Sequence, residues 1–68
     1  MKITYDPEAD AAYIQLADII PAGSVARTVE CQISNEVEPV AIDLDINGKI
    51  VGIEILSARN LLPPEAID

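Results

Sequence analysis

Asp43, Asp45, Asn47, Gly48 and Glu54 fit the calcium-loop pattern D-x-[DN]-x-[DN]-G-x5-E at every defined position, and Ile50 adds the apolar residue such loops often carry in the middle. In such a loop the side-chain oxygens wrap a divalent cation and the final glutamate closes the shell. The same stretch, Val40 to Leu56, also reads as a β-hairpin turning at Asn47-Gly48, because a two-residue turn of this kind needs positive φ at both central positions.

The flanks separate the two readings. A calcium loop of this type sits between two helices, whereas Pro39-Val40-Ala41-Ile42 and Ile55-Leu56 leave no room for an amphipathic entering helix. Leu44 and Ile46 are also apolar at positions that such a loop exposes. A two-residue turn pairs Ile46 with Lys49, Leu44 with Val51, Ile42 with Ile53 and Val40 with Ile55, all on one nearly apolar face. A three-residue turn would set Asp43 opposite Ile53 and Asp45 opposite Val51, so the pattern favours the shorter turn. The hairpin then predicts that Val40, Ile42, Leu44, Val51, Ile53 and Ile55 are buried together. Asp43, Asp45 and Glu54 share the other side, the two aspartates ~7 Å apart along one strand. That patch would attract a cation weakly at its surface without wrapping it. No metal ligand is therefore assigned, and weak divalent-cation binding through Asp43, Asp45 and Glu54 is the alternative function.

Other chemistry finds less support. The pairs Asp6 with Asp10 and Asp43 with Glu54 would suit a small hydrolase-like enzyme only if burial or a charged partner split their pKa values. The chain has no histidine, a single cysteine and no glycine-rich phosphate loop. Neither a Ser-His or Cys-His nucleophile nor a zinc cluster can be assembled from it. No catalytic residue and no cofactor is assigned. Cys31 reads as a small buried hydrophobe.

Twelve acids against four bases give a net charge of −8. That balance argues against nucleic acid and anionic membranes, which need clustered Lys and Arg, and leaves a basic protein as a complementary partner. No apolar run reaches the ~20 residues of a membrane span, and the opening Met1-Lys2-Ile3-Thr4-Tyr5-Asp6 lacks the features of a signal peptide. With a lone cysteine, the expected compartment is the cytoplasm. The chain is 68 residues long and 50% hydrophobic. One small domain of that size buries only about 60% of its unfolded surface, so the surplus aliphatic residues predict a homo-oligomer, a dimer first.

The elements that must position these residues follow from periodicity. Lys2 to Tyr5 alternates as a strand. Residues 7–17 fit either a helix capped by Asp6-Pro7-Glu8 or a turn followed by a strand from Ala11 to Leu16. Asp18 to Ser24 is a loop. Val25 to Ile33 is a strand with Val25, Arg27, Val29, Cys31 and Ile33 on one face, Arg27 lying at an edge with its guanidinium turned outward. Ser34 to Pro39 is a turn. Ser57 caps a short helix over Ala58 to Leu62, which Pro63-Pro64 ends, leaving 63–68 as a frayed tail.

Two motifs together, Tyr5-Asp6-Pro7-Glu8-Ala9-Asp10-Ala11-Ala12-Tyr13-Ile14 and Asp43-x-Asp45-x-Asn47-Gly48-x-Ile50-Val51-Gly52-Ile53-Glu54-Ile55-Leu56, resemble the small bacterial and archaeal family known as domain of unknown function 2283. The resemblance covers nearly the whole chain. It implies a mainly β, antiparallel domain and turns Ala11 to Leu16 towards strand. It implies no established activity and no agreed catalytic residues. Small families of this kind often stand beside toxin-like genes, so it also carries an antitoxin-like role, set against a self-associating domain whose partner is unrelated to toxins. The expected fold is a meander of about five antiparallel strands with a 40–56 hairpin and a short C-terminal helix.

Overall fold

The computed structural model describes residues 1–67. Five strands, β1 (Lys2–Asp6), β2 (Ala11–Gln15), β3 (Arg27–Cys31), β4 (Val40–Leu44) and β5 (Ile50–Leu56), are followed by two helical turns, α1 (Ala58–Leu61) and α2 (Pro64–Ile67). All strand pairs are antiparallel. The order across the sheet is β1-β2-β5-β4-β3, which departs from a strictly sequential meander. The chain leaves β2, passes the end of the β4–β5 hairpin and enters at the far edge. The Leu16 N–H donates to the Val51 carbonyl at 2.9 Å and the Ala26 N–H to the Leu44 carbonyl at 2.8 Å, fixing both ends of that crossing.

Residues 11–15 are a strand rather than a helix. The turn before them explains why. One Asp6 Oδ1 accepts the Glu8 N–H at 3.0 Å, and Asp10 takes a left-handed φ of 50°, so the chain reverses between Pro7 and Asp10 before a helix can propagate.

The 40–56 hairpin forms, but its turn is longer than the sequence pattern suggests. Asn47 keeps a negative φ and Gly48 alone is left-handed, at 79°. The Asp45 N–H donates to the Lys49 carbonyl and the Gly48 N–H to the Asp45 carbonyl, enclosing the three residues Ile46 to Gly48. Asp45 selects this geometry, because its Oδ1 accepts the N–H groups of Asn47 and Lys49, both at 2.9 Å. The expected pairs Ile46 with Lys49 and Leu44 with Val51 are thus replaced: Leu44 stands opposite Ile50. A bulge beyond it restores Asp43 opposite Gly52 and Ile42 opposite Ile53. The bulge compensates the extra turn residue, which is how the carboxylate of Asp43 keeps its side of the sheet.

One face of the sheet bears the helices. Ala12, Ile55 and Ala58 form the buried centre there, packed by Tyr5, Ile14, Val40, Ile53, Leu61, Leu62 and Ile67. Of the six hairpin residues expected in the core, Leu44 and Ile55 are buried while Val40, Ile42, Val51 and Ile53 are half-buried. The molecule is flat, 31 × 25 × 17 Å, and two single-turn helices cover only one end of a five-stranded sheet. Cys31, expected to be buried, is exposed, since β3 is an edge strand that nothing covers. Arg27 lies on that same edge and is exposed, as read from its neighbours.

Pro63 and Pro64 end one helix and begin another. Leu62 takes an extended conformation, as residues before proline do, and Pro64 opens α2 at the position where a missing N–H costs nothing. Where a loose tail is expected, Pro64–Ile67 lies against β1; Asp68 is outside the described residues.

Candidate functional site

The face opposite the helices is polar, and its centre is a hydrogen-bonded relay across four strands. The Tyr13 hydroxyl on β2 donates to Asp43 Oδ2 on β4 at 2.9 Å, and the Thr28 hydroxyl on β3 donates to Asp43 Oδ1 at 2.7 Å. To reach Asp43, the tyrosine must cross β5. It does so over Gly52, where a side chain would collide with the Tyr13 hydroxyl and the outer part of its ring. Burial, then the hydrogen bond to Asp43, then the negative charges of Asp43 and Glu54 push the Tyr13 hydroxyl up to about 12. It therefore keeps its proton at any ordinary pH and serves as a hydrogen-bond donor rather than as an acid or a base.

A second polar cluster ties the sheet to α1. The Tyr5 hydroxyl donates to Asp10 Oδ1 at 2.9 Å, and the same oxygen accepts the Arg59 N–H at 3.0 Å. The Asp10 carbonyl accepts the Ala58 N–H at 3.0 Å. Two of the free N–H groups that open α1, those of Ala58 and Arg59, are thus satisfied by a residue far earlier in the chain. The expected cap does not form: Ser57 is left-handed, at φ 54°, and its side chain makes no capping bond. The Arg59 guanidinium lies over the Tyr5 ring, 5.9 Å from its centre. Burial, followed by the bond to Asp10, raises the Tyr5 hydroxyl above its usual value against the opposing pull of Arg59.

The three carboxylates proposed for a cation are therefore divided among different tasks. Asp43 holds Tyr13 and Thr28, Asp45 builds the hairpin turn, and Glu54 is exposed opposite Ala41 and Tyr13. Among the described residues, no group of three or more His, Cys, Asp or Glu side chains is placed to hold a metal ion. The carboxylate pairs are likewise occupied: Asp6 with its own turn and Asp10 with Tyr5 and α1. A shallow cleft of about 270 Å³ on the polar face is bordered by Thr4, Asp6, Ala11, Tyr13 and Glu54. A larger one of about 580 Å³ lies between Tyr5, Pro7 and the helical residues Arg59, Leu62, Pro64 and Ile67.

A family model described as "Protein of unknown function (DUF2283)" matches residues 2–59. The chain belongs to this family. The matched span starts with β1 and ends at Arg59, so it contains every strand and the whole Asp10 clasp while leaving out most of the helical end. Both motifs that carry the resemblance have structural work in this fold. The first supplies the Asp6 turn, the Asp10 clasp and Tyr13; the second supplies Asp43, the Asp45 turn and the gap at Gly52. Neither a curated protein nor a solved structure matches the chain. Membership in the family brings no specific activity with it.

Tyr13 does not stand out in the sequence as a site residue, and Asp10 stands out there only as half of a carboxylate pair with Asp6. One signal for Tyr13 was present: Gly52, alone in the interior of a β-branched strand, marks a place where another group approaches the backbone. For Asp10 no local pattern points to a partner 49 residues away.

Proposed function

We propose that this member of the family is a self-associating protein-interaction module whose working unit is a dimer. The observation that carries this reading is the scarcity of buried side chains. Among the described residues, the buried hydrophobics are Ala12, Leu44, Ile55 and Ala58, and no large side chain is fully buried. Half of the chain is hydrophobic, and Ile3, Val29, Ile33 and Ile50 remain 39%, 38%, 57% and 48% exposed. A core of that size holds a 68-residue domain poorly, and small domains without disulfides or metals commonly find the missing burial in a partner. The exposed lone thiol of Cys31 fits a reducing, cytoplasmic setting.

Sedimentation velocity across the micromolar range tests the reading, with a dimer expected and a persistent monomer overturning it. Salt adds a second criterion. Two copies that each carry −8 repel, so apolar self-association tightens as salt rises.

A second reading, of which an antitoxin-like role is one form, is a basic protein partner on the polar face. It is supported by the position of the strand-borne acids: Asp6, Glu30, Asp43 and Glu54 all stand on that face. Capture of a basic protein from native lysate at low salt, and its loss at high salt, is the expected result. A repeatable blank counts against the partner while leaving the dimer intact.

A further inference from the structure

Ile3, Ile14, Ile53, Ile42 and Val29 stand directly opposite one another in the registers of β1–β2, β2–β5, β5–β4 and β4–β3. They make one unbroken row of β-branched side chains across all five strands, on the helix-bearing face. At ~4.8 Å between strands the row is about 19 Å long. The helices leave it open: its outermost members, Ile3 and Val29, are 39% and 38% exposed, and the three between them are half-buried.

We propose that this row is the seam of a face-to-face homodimer, in which the sheets of two copies stack about 10 Å apart and the row of one copy crosses that of the other about a two-fold axis. This deepens the self-association reading above and rests on it. Three observations select a second copy as the occupant.

The first is charge. Asp6, Glu30, Asp43 and Glu54, the acids carried on strands, all lie on the opposite face, so two molecules of net charge −8 can meet here without bringing those acids together. A basic partner would find no strand-borne carboxylate on this side.

The second is area. The chain exposes 4754 Å², whereas a compact monomer of its 7.3 kDa mass exposes about 4,200 Å². The surplus of roughly 600 Å² approaches the ~800 Å² that each partner buries in a stable interface.

The third is shape. A two-fold interface must be complementary to itself. A straight row of one kind of stiff, branched side chain meets that condition without needing a groove on one copy and a ridge on the other.

The test is sedimentation equilibrium on the full chain, with far-UV circular dichroism as the check on folding. Wild type is expected to be a dimer. Ile3→Lys with Val29→Lys places charge at both ends of the seam, at positions where a monomer lets the ammonium groups reach water. It should weaken the dimer by about 100-fold or more with the spectrum unchanged. Glu30→Arg, on the same edge strand but the other face, should leave the dimer in place. If the lysine variant does not fold, Ile3→Thr with Val29→Thr replaces it and should weaken the dimer by at least about 10-fold. A folded seam variant that dimerises like wild type overturns the seam but leaves the self-association reading standing, with edge-to-edge pairing through β1 or β3 open to it. A monomeric wild type removes both.

Discussion

The hydroxyl of Tyr13 occupies the space that a Cβ on Gly52 would fill. The two residues lie on adjacent strands, and the absence of a side chain at one lets the other reach across to Asp43, 2.9 Å from its oxygen. A relay spanning four strands therefore depends on one missing methyl group.

Gly52→Ala should displace the tyrosine rather than the backbone, since the colliding atoms belong to the far end of a side chain. Loss of the Tyr13–Asp43 bond, with a partly buried acceptor left short of a donor, costs about 1–2 kcal/mol. In a Tyr13→Ala background the same Gly52→Ala change should become neutral or stabilising, because alanine restricts the unfolded chain more than glycine. Chemical denaturation of the four proteins of this cycle measures the coupling, and simple additivity would show that the two residues do not interact.

Tyr13 and Tyr5 are the two tyrosines of the chain, so their ionisation can be followed by tyrosinate absorption. In Tyr5→Phe, the remaining transition should fall near 12. The sign of the linkage is fixed: Tyr13 has a folded value above its ordinary 10.0, so its contribution to stability is complete below pH 10 and is lost as pH rises towards 12. Asp43→Asn should bring the transition down, because it removes the neighbouring negative charge. A transition at the ordinary value in folded Tyr5→Phe protein would contradict the relay.

Asp10 combines a left-handed backbone with an acceptor for Tyr5 and Arg59. Asparagine tolerates the conformation and keeps an acceptor oxygen, glycine keeps only the conformation, and alanine keeps neither. Thermal stability should fall in the order Asn, Gly, Ala, with Asp10→Ala costing about 2 kcal/mol. Amide exchange at Ala58 and Arg59 should accelerate along the same series. Equal stability of the three variants would mean that the clasp contributes little.

Calcium at millimolar concentration should leave the melting temperature of wild type unchanged, because Asp43 and Asp45 have other partners. A rise in midpoint that Glu54→Gln abolishes would restore the cation reading.

The alternation of Val40 to Leu44 and of Arg27 to Cys31 was legible without a structure, because one-residue steps between faces leave a period of two in the sequence. So was the position of the hairpin. Its turn type was not, since Asn-Gly suits both a two-residue turn and a three-residue turn with Gly48 left-handed. The signal for the second lay two residues before that dipeptide, in Asp45, whose carboxylate can hold the N–H groups of Asn47 and Lys49. Periodicity alone leans towards a helix over residues 11–15, and the family resemblance alone turns them to strand, as the structure shows. The strand order, the Asp10 clasp and the reach of Tyr13 were invisible because each joins residues far apart in the chain. The calcium pattern matched at every position and yet spaced residues for a turn, a relay and an exposed position on the central strand.

The central strand is the last one in the chain. β5 alone contacts both β2 and β4, so until residues 50–56 are available β1–β2 and β3–β4 are separate two-stranded hairpins with no shared strand. Such hairpins are marginal in water. The two halves of the sheet are therefore joined through β5, and a chain ending before Ile50 is left with two unjoined hairpins.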